Sequence, residues 1–169
     1  MAQSPEAEVL TALAATLETG LAGTPPGSWT YERPPDVRRA PLPPPGTQMK
    51  PGECPIVYVI PGAGSMLSGG HFNFALQQVS YRYDFHVDIL GIVFREASAG
   101  VLADDERLNL RHHCATILMK NRHIGSLSKD GIIIGDGRAE RVDEGEYAPA
   151  AIFVLPITIP LAQAYSTVP

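Results

Sequence analysis

The sequence predicts an α+β domain, a mostly antiparallel β-sheet with two main helices packed on it. Three observations carry this. VSYRYDFHVDIL alternates without error, Val79, Tyr81, Tyr83, Phe85, Val87 and Ile89 facing one way and Ser80, Arg82, Asp84, His86 and Asp88 the other. That is the period of an antiparallel strand with one wet face. AAIFVLPITIPLA puts Ala151, Phe153, Leu155, Ile157, Ile159 and Leu161 on one side in the same way. Residues 5–22 and 104–122 instead carry apolar side chains at spacings of three and four, the stripe of an amphipathic helix.

In the first helix Ser4 is the expected N-cap, its hydroxyl accepting an orphaned backbone N–H. Pro5 suits the first position, and Glu6 and Glu8 suit the positive end of the macrodipole. Leu10, Leu13, Leu17 and Leu21 form its stripe, and Gly20 or Gly23 followed by Pro25-Pro26 ends it. A short strand is expected over Ser28–Arg33. Ten of the sixteen prolines then fall between residues 25 and 55, so 34–55 reads as a long proline-rich arm without sheet donors. Its apolar Val37, Leu42 and Met49 suit docking on a partner or neighbouring subunit; disorder is the other reading.

IVYVI, 56–60, reads as a buried strand, and the glycine-rich stretch 62–73 as a second loop. After Ile89 the apolar phase flips to Leu90, Ile92 and Phe94 with Gly91 at the change, which predicts a β-bulge. The second helix starts with Asp104, Asp105 and Glu106 and ends with Lys120, Arg122 and His123 before Gly125, charges that complement its dipole. IIIGDGRAERV reads as strand with a turn at Gly135-Asp136-Gly137. Pro156 and Pro160 lie four apart, so both missing N–H groups belong to one edge of the closing strand, which places it at the sheet border.

A chain of 169 residues with 44% apolar and 18% charged residues fits a single domain, 1–169, with one core. A net charge of −5 argues against a surface built to grip phosphates. The opening MAQSPEAEVLTALAATLETG lacks a basic n-region and a signal-length apolar run, and no segment has the composition of a membrane span. Cys54 and Cys114 are therefore expected as free thiols in a protein made inside the cell.

Three clusters invite a chemical reading. In LNLRHHCATILMKNRHIG, His112, His113 and Cys114 are consecutive, so on a helix they diverge by about 100° per residue and cannot share one ion. Thr116 and Ile117, not ligands, stand four residues on, so the stretch reads as a helix with exposed histidines and a packed thiol. GAGS, 62–65, lacks the third glycine of a dinucleotide loop, the Lys of a P-loop and the spacing of a nucleophile elbow. Asp84, His86 and Asp88 share one strand face, but so do the polar residues of any solvated sheet. No catalytic, cofactor-binding or metal-ligating set emerges, and an enzyme is not expected. An enzyme working from that face would show divalent-metal-dependent activity abolished by His86→Ala.

YRYDFHVDILGIVFRE, DDERLNLRHHCATILMKNRHIGSLSKDG and AAIFVLPITIPLA, in this order, resemble the tail terminator (tail completion) proteins of long-tailed bacteriophages. Asn121, Ile124 and Gly125 match the family's helix-ending turn, and Phe153–Leu161 its closing strand. The N-terminal helix and the Pro55–Ile60 strand also fit. The resemblance implies a virion structural protein, assembled in the host cytoplasm and located at the tail or neck. Such a protein would form a ring, commonly a hexamer, that caps the tail tube, stops tube polymerisation and presents the joining surface to the head. Implied partners are other copies of the chain, the tail tube protein and a head–tail connector or neck protein. DNA would pass through the ring without sequence-specific binding, and no membrane or cofactor is implied. The alternative from the same setting is a head-completion or neck connector protein, an adaptor or stopper. The proline-rich arm and the glycine-rich loop depart from the compact family pattern. Val37, Arg38, Arg39, Leu42, Met49, Met66 and Leu67 on them are the candidate contacts to a neighbouring subunit or the tube.

Overall fold

The computed structural model describes residues 4–27, 29–31, 33–39, 53–62, 66–73, 78–94, 103–142 and 150–166. It is an α+β fold in two layers. The helices α1 (Pro5–Leu21) and α2 (Ala103–Lys120) cover one face of a mixed sheet. Its strands are β1 (Asp36–Arg38), β2 (Ile56–Pro61), β3 (Met66–Asn73), β4 (Gln78–Phe94), β5 (Ile133–Ile134), β6 (Arg138–Val142) and β7 (Ala150–Ser166). All pairings are antiparallel except β1 with β2. β4 and β7 form the centre, paired without interruption from Gln78–Ser166 to Phe94–Ala150. β2 and β3 share the far edge of β4, β1 lies outside β2, and β5 and β6 share the far edge of β7.

The main core lies between helices and sheet. Val9, Leu10, Leu13, Leu17 and Leu21 of α1 and Leu110, Cys114, Ile117 and Leu118 of α2 meet the odd-numbered residues of β2, β4 and β7. Ser4 caps α1 as its sequence position requires, its Oγ accepting the Ala7 N–H at 3.3 Å. Gly20 packs directly against α2, for a Cβ there would stand 2.7 Å from the Ile117 side chain.

The phase flip after Ile89 has a different cause from the expected bulge. β4 keeps one register with both β2 and β7 through Gly91. Leu90, Ile92 and Phe94 are apolar because a second, smaller core covers this end of the sheet on its other face, with Cys54, Ile56, Tyr58 and Ala150. Gly91 instead answers to Phe153, its cross-strand partner: a Cβ at Gly91 would lie 2.0 Å from the Phe153 ring. It is a glycine of close approach. The irregularity in register lies in β3, between Leu67 and Gly69.

Four further expectations are corrected. Residues 29–31 are not a strand; Trp29 and Tyr31 stack edge to face, and the extended pairing begins at Asp36, inside what read as arm. Within the stretch 62–73 that read as loop, Met66–Asn73 is strand β3, held by the ladder to β4. Gly135–Gly137 is not a hairpin turn, because β5 and β6 run in the same direction along β7. The segment is a detour past Pro156, whose carbonyl accepts the Gly135 N–H at 2.8 Å. β7 is not the border strand, yet the physics behind that expectation stands. The proline-bearing edge is covered only piecewise, by β6 opposite 150–154 and β5 opposite 157–158, and beyond that the Ser128 hydroxyl reaches the Pro160 carbonyl at 3.3 Å. Residues 40–52 of the arm lie outside the described residues.

Gly91→Ala is expected to destabilise the fold by about 1–3 kcal/mol, because neither the ladder nor the fully buried Phe153 can move aside. Urea unfolding of Gly91→Ala, Phe153→Leu and the double variant checks this. The double variant should lose clearly less than the sum of the two, the mark of direct contact.

Candidate functional site

The cysteine–histidine stretch of α2 separates into three environments. Cys114 is fully buried in the main core, and burial pushes its thiol up to about 12. Cys54 lies in the smaller core across the sheet, its thiol pushed up to about 11, again by burial. Both thiols are free and on opposite faces, so neither is a candidate nucleophile. His112 is exposed. His113 is not the exposed residue its neighbours suggest: it is 4% exposed, stacked under Tyr31 with ring centroids 5.8 Å apart. The Tyr31 hydroxyl lies 2.9 Å from His113 Nδ1. Burial holds the imidazole below its ordinary range and pushes the phenol far up, so both are neutral at pH 7. The two side chains share one hydrogen bond, whose direction follows the tautomer of the ring.

This buried pair was readable from spacing. Glu106, Leu110, His113 and Ile117 repeat at four, three and four, the buried side of α2, and all four are buried. Glu106 is thus an interior carboxylate, 2% exposed, and not a solvated charge at the helix start. The helix ends in a turn under backbone strain, with Ile124 at φ 45°, Gly125 at 73° and Ser126 at 144°. A buried β-branched residue at positive φ persists only where packing demands it. Here Ile124 is 2% exposed, and Ile132 N–H bonds the Arg122 carbonyl at 2.8 Å to close the turn.

Of the candidate contacts, Val37 is half-buried and packs on the chain's own core. Arg38 is exposed and paired with Asp36, Nε to Oδ2, at 2.7 Å. Arg39 donates to the Thr11 hydroxyl of α1. Val37, Arg38 and Arg39 are therefore brought together at the β1 border, tied to their own helix and sheet. Met66 and Leu67 sit elsewhere, at the start of β3 opposite Asp84 and Tyr83. Leu42 and Met49 lie outside the described residues.

Asp84, His86 and Asp88 do share the outer face of β4, opposite Pro160, Thr158 and Pro156. His86 Nδ1 is 3.1 Å from the Thr158 hydroxyl, an ordinary cross-strand pair. Beside them runs a groove of about 630 Å³ that spacing did not reveal. Leu90, Ile152, Val154 and Pro156 form its floor, and Asp88, Asp136 and Arg138 its rim. Its lining comes from three separate strands and a connection, so only the β4–β7–β6 register brings it together. Among the described residues no group of three or more His, Cys, Asp or Glu side chains could hold a metal ion. Nor, among them, is any helix long and apolar enough to cross a membrane.

No family model matches this chain, and no curated protein matches it.

Tyr31→Phe removes the hydrogen-bond partner of a buried ring nitrogen and is expected to cost about 1–2 kcal/mol in urea unfolding. The native state holds its proton on His113 more weakly than the unfolded chain does. That contribution to stability is therefore complete above the ordinary value of 6.5 and is lost as pH falls from there toward the depressed native value. Unfolding free energies between pH 7.5 and 5 should decline in the wild type and decline less in His113→Gln.

Proposed function

We propose that this chain is a virion structural protein that caps the tail tube of a long-tailed bacteriophage as a homo-oligomeric ring, halts tube polymerisation and forms the surface that joins the tail to the head. The observation that carries this reading is the order and pairing of the elements in the segments that resemble tail terminators. A long strand with one polar face, β4, is followed by the acid-starting helix α2. That helix ends in the Asn121–Gly125 turn, where Gly125 takes a positive φ. The apolar strand β7 then returns to pair with β4 along its whole length.

Physical arguments run the same way. A ring subunit needs two flanks that fit each other, and a two-layer plate with helices on one side and a sheet on the other has two unlike flanks. A chain of net charge −5 lets DNA pass without gripping its phosphates. The ring would be assembled in the host cytoplasm and would meet the tube protein on one side and a connector or neck protein on the other.

Light scattering and negative-stain microscopy of the purified chain, alone and mixed with its tail-tube protein, test this. Closed rings, or monomers that become rings on tube ends and stop tube growth, are the expected result. A chain that ignores tubes but binds a portal–adaptor complex would replace the terminator reading with that of a neck connector. One that binds neither would overturn both.

A further inference from the structure

The end of the sheet farthest from Phe94 and Ala150 consists of three strands. β3 pairs with β4 from Met66–Asp84 to Asn73–Gln78, and on the other side of β4 the last part of β7 pairs from Tyr83–Leu161 to Gln78–Ser166. Among the described residues both borders of this end are unpaired. β3 has β4 as its one strand neighbour there, and β5 and β6 follow β7 no further than Thr158. Pro156 and Pro160 turn their carbonyls to the β5–β6 side, where the Gly135 N–H and the Ser128 hydroxyl meet them. By alternation Ala162, Ala164 and Ser166 turn N–H and carbonyl to that same side, a donor and an acceptor each.

An open border specifies the kind of group that fits it, another strand, and solvent-facing borders are normally guarded by charge or proline. Neither guard is present here. In a chain with 18 acidic and 13 basic residues, no Asp, Glu, Lys or Arg occurs between Glu53 and Arg82 or from Tyr147 to Pro169. No proline falls within 66–81 or 161–166. The chain's own connections are unsuited to the place. Those at 95–102 and 143–149 join the opposite, Phe94–Ala150 end of the ladder. The segment 40–52 has proline at five of its thirteen positions, which lack the donor a ladder needs.

We propose that the β3 border of one copy pairs with the Leu161–Ser166 border of β7 in the next, so that the sheet continues from copy to copy. β4 lies between the two borders, so one molecule cannot join them. β3 and β7 both run antiparallel to β4, so a ladder between copies in the same orientation is parallel. In that direction Met66 and Leu67 arrive where the free part of β7 begins. A cleft of about 490 Å³ opens there, with Val9, Leu161 and the 36%-exposed Leu127 as apolar lining. The charged side chains around it, Arg82, Asp84, Lys129 and Asp130, balance, which suits an uncharged occupant. Two unlike borders make the contact heterologous, the kind that can close into a ring. The proposal rests on the ring reading above and names the contact between its copies.

The test uses the full chain. Ala164→Pro removes a donor from the open side of β7 and leaves the β4 ladder intact, as Pro156 and Pro160 do. It is expected to unfold thermally like the wild type and to stay monomeric in light scattering where the wild type assembles, alone or on tail-tube ends. Independently of that variant, single cysteines are placed on one face of the two borders, at Gly69, His71 or Asn73 in one set and at Ala162, Ala164 or Ser166 in the other. Under copper–phenanthroline oxidation, mixing the sets should give disulfide-linked dimers at one register, and neither set alone should give them. A chain carrying both cysteines of that register should give a ladder of covalent oligomers. Dimers from the β3 set alone would mean a two-fold contact and overturn the proposal. Links to the tail-tube protein with none between copies, or binding to phosphatidylcholine vesicles in place of assembly, would overturn it as well. Rings that cap tubes without β3–β7 links, and in the Ala164→Pro variant too, sink the proposal and keep the ring reading. Linked oligomers that ignore tube ends keep the interface and sink the terminator function. Wild type that stays monomeric alone and with tubes overturns both.

Discussion

Every other part of this structure depends on the ladder between β4 and β7. It joins residues 78–94 to 150–166 without a break, and it spans both cores. Because side chains alternate along each strand, one register decides which residues face the helices and which face outward. A slip by one residue would send Phe85, Val87, Phe153 and Ile157 into water and bring Asp84, Asp88 and Thr158 against α2. Gly91 and Phe153 lock the chosen register, since the ring lies over the one central position that has no side chain. The outer groove and the buried face of α2 are two sides of the same pairing.

Beneath α2 the fold takes a costlier option than an all-apolar helix face. His113 and Glu106 occupy buried positions that Leu or Met would fill without desolvation. The histidine is met by Tyr31, delivered by the connection between α1 and β1, with Trp29 stacked on it at 4.1 Å. A directional bond of this kind fixes where the connection crosses the helix, which apolar contact alone does not. Glu6 plays a similar part at the other end, accepting from the Tyr83 hydroxyl at 2.6 Å, which holds its carboxyl below the usual range. Each tether joins a helical layer to a distant segment by one polar contact at the edge of the core.

How much of this was legible depended on whether the signal was local. Both helices, β2, β4 and β7 could be read directly, because period and caps are properties of neighbouring residues. β3 was missed because Gly69 and Gly70 look like a loop until β4 supplies the hydrogen bonds that hold them extended. β1 was missed for a related reason: Asp36–Arg38 has no strand pattern and is recruited by β2. Gly91 was noticed but misread, since a glycine at a phase change fits a bulge and a close approach equally well from the chain alone. The outer groove had no sequence signature, being assembled from Asp88, Asp136 and Arg138 by the sheet. His113 was the avoidable error: it belongs to the helix's buried repeat, and the exposed His112 beside it concealed that.

The prolines of β7 have a consequence that precedes folding. AAIFVLPITIPLA is uncharged, rich in β-branched and aromatic residues, and so the segment of this chain best suited to stacking in register with copies of itself. Such stacking needs roughly six or seven consecutive residues able to hydrogen-bond on both sides. Pro156 and Pro160 cut the segment into runs of six, three and two, of which only the first reaches the lower bound of that length. Within the native sheet the same prolines cost little, because their missing donors point to the side that β5 and β6 cover only in part. A newly made chain can therefore hold its most apolar strand exposed until β4 takes it up, with less risk of losing it to fibrils.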